Sequence, residues 1–230
     1  VIGEYLSREK NAQPLISLMK KSYEILKNHP VNIKRREKGL NEANSIWLWG
    51  EGRKPALESF KKKNGVSGCV VSAVDLLKGI GICTGMDTPE VEGATGYLDT
   101  NFEGKAEAGI KAFKNGTDLV YLHFEAPDEC GHRGEAENKV KAIEYIEKRA
   151  LKPMLDYLSS CNDDYRILIM PDHPTPLETK THSSAPVPYL IYDSRKNKNG
   201  VSPFTEKNAE KTGIFVEHGP DIMNKLLEKK

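Results

Sequence analysis

Apolar positions along this chain switch between the spacing of helices and that of strands. Residues 8–29 repeat apolar side chains at the interval of one helix face, and Ala136–Ser160 carries the longest such pattern. Pro153 should kink or divide this second helix because it lacks a backbone N–H. Further helices are predicted over 73–81, 104–115 and 219–227, and short apolar runs predict strands over 44–49, 65–72, 118–124, 165–170 and 187–192.

The alternation of strands and helices predicts the fold class. Strand, helix, strand, helix in sequence indicates an α/β protein with a mostly parallel sheet and helices on both faces. Ligands of such sheets bind beyond the carboxyl ends of the strands. Residues 193–213 are polar and are predicted to form a surface loop, with room for short edge elements.

Composition narrows the class of protein. With 230 residues, 38% hydrophobic and 29% charged, the chain is typical of a globular protein. A net charge of +1 argues against a nucleic-acid partner, and Lys34–Arg36 is predicted to be a solvated basic run in a loop. No apolar run is long enough to predict a membrane span. The four cysteines are scattered, which favours a reducing cytoplasm over a disulfide scaffold.

Aspartate and histidine side chains gather where the predicted strands end. Asp128 and His132 follow one strand, Asp172 and His173 follow another, and His182 precedes the last. Each residue alone fits a turn former, a helix cap or a structural histidine. Together at consecutive strand ends, these carboxylates and imidazoles predict a site for manganese, zinc or a similar divalent ion.

Two weaker signals accompany this cluster. The segment Gly50–Pro55 places Arg53 and Lys54 after a glycine pair, which suits an anion, although the residues alone favour a surface turn. His123 lies within a predicted strand. It could orient a metal ligand, or it could be a core histidine with a hydrogen bond.

The metal-site residues lie in motifs that resemble a known family. H-F-E-A-P-D-E-C-G-H-R-G, M-P-D-H-P-T-P and T-H-S-S-A-P-V-P resemble the metal motifs of cofactor-independent phosphoglycerate mutases, in the alkaline phosphatase superfamily. W-L-W-G-E-G-R-K-P, A-V-D-L-L-K-G-I-G and G-A-T-G-Y-L-D-T-N-F-E-G-K resemble the archaeal branch, some bacterial members of which carry a homoserine kinase label. The resemblance covers about Asn44 to Tyr192.

The resemblance implies an alkaline-phosphatase-like fold and two divalent metal ions. Manganese is the first expectation, with zinc, cobalt or magnesium as alternatives. It implies that Asp128, His132 and His182 hold one ion. Asp172 and His173 would hold the other, together with an aspartate and a nucleophilic serine from a family region that this sequence does not contain. The substrate-binding residues implied are Arg53, Lys54 as a weaker candidate, and His123.

The resemblance also implies a domain division and a reaction. Residues 1–43 would be a helical return from an inserted domain, and 44–230 the metal-binding α/β domain of a longer enzyme, inactive alone and binding one ion better than two. The reaction would interconvert 3-phosphoglycerate and 2-phosphoglycerate through a phosphoserine. The partner would be a small phosphorylated substrate, with oligomeric state left open. A phosphatase or phosphotransferase acting on another phosphometabolite, such as homoserine phosphate, is the alternative, as is a non-catalytic metal-binding module.

Overall fold

The computed structural model of the chain describes residues 12–48, 52–196 and 200–228. Contacts divide the chain into two compact units, residues 1–55 and 56–230. The first unit contains helices α1 (Gln13–Leu26) and α2 (Pro30–Glu37).

The basic run 34–36 is in a helix and not in the predicted loop. All three cations lie in the last turn of α2, where positive charge interacts favourably with the helix dipole. Arg36 also pairs with the Glu42 carboxylate (3.0 Å).

The strand predicted over 44–49 is wrong for residues 44–48, which are irregular. The reason lies in their hydrogen bonds. The backbone N–H of Ile46 donates to the Ser22 hydroxyl (2.9 Å), and the Ser45 hydroxyl donates to the Met19 carbonyl (3.1 Å). Side chains therefore take the place of a strand partner at this point. Trp49 lies outside the described residues.

The second unit carries the remaining elements in the predicted alternation. In order they are α3 (Phe60–Asn64), β1 (Gly68–Val71), α4 (Asp75–Cys83), α5 (Phe102–Lys114), β2 (Leu119–Leu122), α6 (Ala126–Arg133), α7 (Ala136–Tyr145), a π-helix (Ile146–Leu151), α8 (Lys152–Ser160), β3 (Arg166–Ile169), β4 (Leu190–Asp193), α9 (Glu206–Lys211) and α10 (Asp221–Leu227). Where the structure describes the polar segment 193–213, it contains the end of β4 and one short helix, α9, besides loop.

The strands form two pairs. Each pair brings together segments that carry predicted site residues. β1 and β2 are parallel with Val71 opposite Leu122, so the residues that follow both strands are neighbours. β3 and β4 are antiparallel with Ile169 opposite Leu190. The irregular segment 170–189 therefore starts and finishes at the same end of this strand pair. The parallel pairing was predicted, whereas the antiparallel pairing of β3 with β4 was not.

The long helical pattern of 136–160 is divided, as Pro153 predicted. α7 passes into the π-helix, and α8 then begins with Pro153 in its first turn. Proline has no N–H to donate to the carbonyl one turn earlier in the helix. The wider turn of the π-helix before Pro153 lets the remaining backbone groups form hydrogen bonds at low cost.

The core lies between α5, β2 and this divided helix. Phe102 is fully buried and stacks on Phe124 with ring centroids 5.5 Å apart. Ala106, Ala150 and Met154 form a neighbouring buried cluster. All four cysteines are free thiols. None of the helices in the described ranges is long and apolar enough to cross a membrane.

Candidate metal centre

Helix α6 places Asp128 and His132 side by side. Asp128 lies in its first turn, His132 lies in its last turn, and Gly134 ends the helix with φ +72°. Residues four apart on a helix share one face. His132 Nε2 is accordingly 3.3 Å from Asp128 Oδ2. The four-residue spacing therefore produces the convergence that the sequence predicted.

His182 completes a group of three from the loop between β3 and β4. Its Nε2 lies 3.3 Å from Asp128 Oδ1 and 3.0 Å from His132 Nε2. One donor atom from each of these residues lies within 4.8 Å of the other two. Two imidazole nitrogens and a carboxylate thus meet at one point.

The donor spacing fits a small divalent ion. Ligands bound at about 2.0 to 2.2 Å around a tetrahedral ion are about 3.3 to 3.6 Å apart. The two imidazole nitrogens are 3.0 Å apart, and each lies 3.3 Å from a different oxygen of the Asp128 carboxylate, which is close to that spacing. The mixture of oxygen and nitrogen donors suits zinc, manganese or a related ion.

Two hydrogen bonds hold these donors in place. The hydroxyl of Thr175, which is 4% exposed, donates to Asp128 Oδ1. His132 Nδ1 lies 2.9 Å from the Lys180 carbonyl. Such contacts orient metal ligands and fix their tautomers.

Asp172 and His173 lie beside this group. His173 Nδ1 is 4.0 Å from Asp128 Oδ1, and its ring packs against His182 with centroids 3.8 Å apart. Asp172 is more open, with its side chain 64% exposed, and its Oδ2 lies 3.5 Å from His173 Nε2. All five predicted ligands thus lie in one neighbourhood of the second unit.

His123 immediately follows β2 and pairs with Ser72, which follows β1. The Ser72 hydroxyl accepts from Val74 N–H (3.0 Å) and lies 3.1 Å from His123 Nδ1. The Ser72 hydroxyl can donate to Nδ1 or accept from it, according to the tautomer of His123. Burial lowers the pKa of His123, while the nearby Asp172 carboxylate raises it. The net effect is a lowered pKa, which favours the neutral imidazole.

A buried lysine lies behind this pair. Lys105 is 1% exposed, and its ammonium donates to the carbonyls of His123 (3.2 Å) and Thr95 (3.5 Å). Burial lowers the pKa of Lys105 to about 8, against a smaller raising effect of Glu125. Burial also raises the pKa of Glu125, and the carboxylates of Glu129 and Asp128 add to that effect.

Arg53 and Lys54 belong to the first compact unit. Both side chains are exposed, and both residues lie in an irregular segment before α3. Part of the glycine turn that precedes them lies outside the described residues. Their assignment to substrate phosphate stays a prediction.

Sequence reasoning missed four contributors to this region: Ser72, Lys105, Thr175 and the Lys180 carbonyl. Thr175 lies within the metal motif M-P-D-H-P-T-P, so its position was a usable signal. Ser72 ends a predicted strand, as the metal-site residues do. In the sequence, Lys105 cannot be told from a lysine on the exposed surface of a helix. Every residue has a backbone carbonyl, so the residue type at position 180 does not reveal the contact.

Comparison with known proteins supports a metal centre. The family model described as "Metalloenzyme superfamily" matches residues 13–230. A protein of Geobacter sulfurreducens named "Probable 2,3-bisphosphoglycerate-independent phosphoglycerate mutase" is 47% identical over 229 residues, which cover 99% of this chain and 57% of the relative. A Methanosarcina mazei protein named "2,3-bisphosphoglycerate-independent phosphoglycerate mutase" is 46% identical over 228 residues, with the same two coverages. The chain spans just over half the length of these curated relatives.

Solved structures confirm the predicted alkaline-phosphatase-like α/β fold. A Pyrococcus horikoshii protein is similar with a TM-score of 0.76 and 32% identity, over 96% of this chain and 58% of the other. A cofactor-independent phosphoglycerate mutase from Thermoplasma acidophilum has a TM-score of 0.57 at 24% identity, over 95% of this chain and 52% of the other. The second likeness concerns the fold alone.

Proposed function

Because the chain belongs to the metalloenzyme superfamily, we propose that it forms the metal-binding part of a phosphoryl-transfer site that interconverts 3-phosphoglycerate and 2-phosphoglycerate. The proposal rests on one observation. Asp128, His132 and His182 lie together, and one donor atom from each lies within 4.8 Å of the other two. The names of the relatives at 46–47% identity supply the substrate.

In this proposal the predicted ligands serve two divalent ions. Asp128, His132 and His182 hold the first. Asp172 and His173 contribute to a second, whose further ligands and serine nucleophile correspond to the part of the relatives that this chain does not match. When bound, the ions supply positive charge against the transferring phosphoryl group. Manganese is proposed first, with zinc, cobalt or magnesium as alternatives.

The chain's own polar groups would bind the substrate. We propose that the Ser72 hydroxyl, 3.1 Å from Nδ1, donates to that nitrogen, so that His123 carries its proton on Nε2. A neutral imidazole donor can bind a phosphate or carboxylate oxygen without adding charge. Arg53 is proposed to bind phosphate through its planar guanidinium, with Lys54 as a weaker candidate. Transfer through a phosphoserine and a cytoplasmic location belong to the same proposal.

The test is an assay of the complete natural polypeptide on 3-phosphoglycerate with added manganese. Asp128→Ala and His182→Ala should each lower kcat/KM by at least about 100-fold, because each leaves the ion a ligand short. Asp156→Ala is the control, since Asp156 only pairs with Lys152 on the exposed surface of α8. Full activity in either site variant would rule out the metal mechanism.

The same assay separates the alternatives. Release of inorganic phosphate without 2-phosphoglycerate would indicate a phosphatase, and turnover of homoserine phosphate alone would indicate another phosphometabolite. Metal binding without turnover of any phosphate ester would indicate a non-catalytic module. The 230-residue chain by itself should show no mutase turnover and should bind one manganese ion more tightly than a second.

A further inference from the structure

We propose that Lys180 is a positioning residue of the metal site that acts through its backbone. Its left-handed conformation would aim its carbonyl at His132 and so fix the tautomer of that ligand. The inference rests on the proposed metal-binding function. Lys180 has φ +52°, a region that residues other than glycine seldom adopt. Among the described non-glycine residues, only Glu228 shares this feature.

The contact with His132 defines a protonation pattern. His132 Nδ1 lies 2.9 Å from the Lys180 carbonyl, and a carbonyl can only accept. The Nδ1 atom must therefore carry a proton, which leaves the Nε2 lone pair of the neutral ring free. That Nε2 atom is the one that lies 3.0 Å from His182 Nε2 and 3.3 Å from Asp128 Oδ2. The carbonyl thus prepares the nitrogen that would bind the ion.

The surrounding loop maintains the unusual backbone of Lys180. The Lys180 N–H donates to the Pro176 carbonyl (2.9 Å), and the Ser183 N–H donates to the Pro174 carbonyl (3.0 Å). The second bond encloses the turn that the first bond closes, so Lys180 lies within both. Backbone strain that persists because its surroundings enforce it is concentrated at functional sites.

The Lys180 side chain offers a competing explanation. Its stem lies over Gly134, where an added Cβ would be 2.7 Å from Lys180 Cε. The ammonium could therefore act on the site by charge, with the backbone conformation being incidental. Two substitutions separate these roles. Asparagine removes the ammonium and tolerates the left-handed region, whereas valine removes the ammonium and is disfavoured there.

The experiment compares Lys180→Asn with Lys180→Val in the full chain. Manganese affinity is measured by calorimetry, and the His132 tautomer is measured by ¹⁵N NMR in metal-free protein. Lys180→Asn should bind manganese within about twofold of the wild type and should keep the Nδ1–H tautomer. Lys180→Val should bind about 10-fold more weakly, the usual cost of losing a partner that orients a ligand, and should lose that tautomer.

Several outcomes would overturn the inference. It is wrong if Lys180→Val retains both affinity and tautomer, or if Lys180→Asn weakens binding as much as Lys180→Val. If Lys180→Val does not fold, the wild-type spectrum decides, because an Nε2–H tautomer of His132 contradicts the inference directly. Failure of the wild type to bind manganese would instead overturn the proposed function, while the tautomer of metal-free protein would still test Lys180.

Discussion

Gly131 allows the Thr175 backbone to lie directly against helix α6. A Cβ at Gly131 would be 2.6 Å from the Thr175 carbonyl oxygen, which is closer than real Cβ atoms approach. Gly131 lies between Asp128 and His132 on that helix, and the Thr175 hydroxyl donates to Asp128. The close approach therefore joins the two segments that supply the metal ligands.

Gly131→Ala should weaken metal binding. The added methyl group must displace the Thr175 backbone, and with it the loop that carries His173 and His182. We expect manganese affinity to fall by about 10-fold, comparable to the loss of a partner that orients a ligand. Calorimetric titration of the chain measures the effect.

Gly79→Ala is the matched control for this substitution. Gly79 lies in helix α4, and nothing approaches within 4 Å of the Cβ position there. Alanine is the better helix former, so this variant should be more stable by about 0.5 to 1 kcal/mol with unchanged metal affinity. Equal affinity in both variants would show that the Thr175 contact does not matter to the site.

The meeting of Asp128 with His132 could be predicted from the sequence because their four-residue spacing on one helix is local. Asp128 and His132 share a helix face, and His182 follows from a motif beside its strand. The strand predicted over 44–48 was wrong because its apolar pattern says nothing about hydrogen-bond partners. There the Ser22 hydroxyl, 24 residues from Ile46 in sequence, accepts from the backbone. Burial of Lys105 likewise depends on packing between α5 and β2, which no local pattern encodes.

Ser72→Ala should alter substrate binding and leave the first metal ion unaffected. The Ser72 hydroxyl fixes the Nδ1 side of His123 at 3.1 Å, so its loss frees the ring to turn or to change tautomer. We expect KM for 3-phosphoglycerate in the complete polypeptide to rise by about 3- to 10-fold, in line with the loss of one neutral hydrogen bond of about 1 kcal/mol.

The control for Ser72→Ala is Ser159→Ala. Ser159 contacts the Tyr165 hydroxyl (3.1 Å) on the exposed surface. KM and manganese affinity should both stay at wild-type values in that variant. A fall in manganese affinity in Ser72→Ala, with KM unchanged, would place His123 in the metal site and remove it from the substrate site.

Lys105 should make stability rise with pH in mildly alkaline solution. Its pKa is about 8 when folded, against an ordinary value of 10.5, so the unfolded chain binds more protons between these values. The charged form opposes folding fully below pH 8, and this penalty disappears as pH approaches 10.5. The difference corresponds to about 1 to 3 kcal/mol after allowance for solvent screening.

Urea unfolding of the wild type and Lys105→Met between about pH 7.5 and 10 measures this effect. The stability of the wild type relative to the variant should rise across that range, because methionine keeps the stem without a proton to lose. Lys152→Met is the control, since Lys152 is 68% exposed in its pair with Asp156. A pH-independent difference between wild type and Lys105→Met would contradict the lowered pKa.

Asp193→Asn should make the protein lose less stability than the wild type as the pH falls. Asp193 accepts from Arg195 (2.7 Å) and Arg166 (2.9 Å), which hold the pKa of its carboxyl far below the ordinary value. Lys196 and Arg195 lower the pKa of Glu228 to about 2. Groups with lowered folded pKa values stabilise above their unfolded values, 3.8 and 4.5 here, and lose that contribution as pH falls.

The wild type should therefore lose stability between about pH 4.5 and 2, as measured by thermal unfolding monitored by circular dichroism. Asp193→Asn should start from a lower melting temperature at neutral pH, because Arg166 and Arg195 lose one of the two carboxylates that they share and keep Glu228. Its melting temperature should then fall less over the acid range. Asp156→Asn, in an exposed pair with Lys152, should follow the wild-type curve. Parallel acid profiles for Asp193→Asn and the wild type would show that these ion pairs do not stabilise the strand pair.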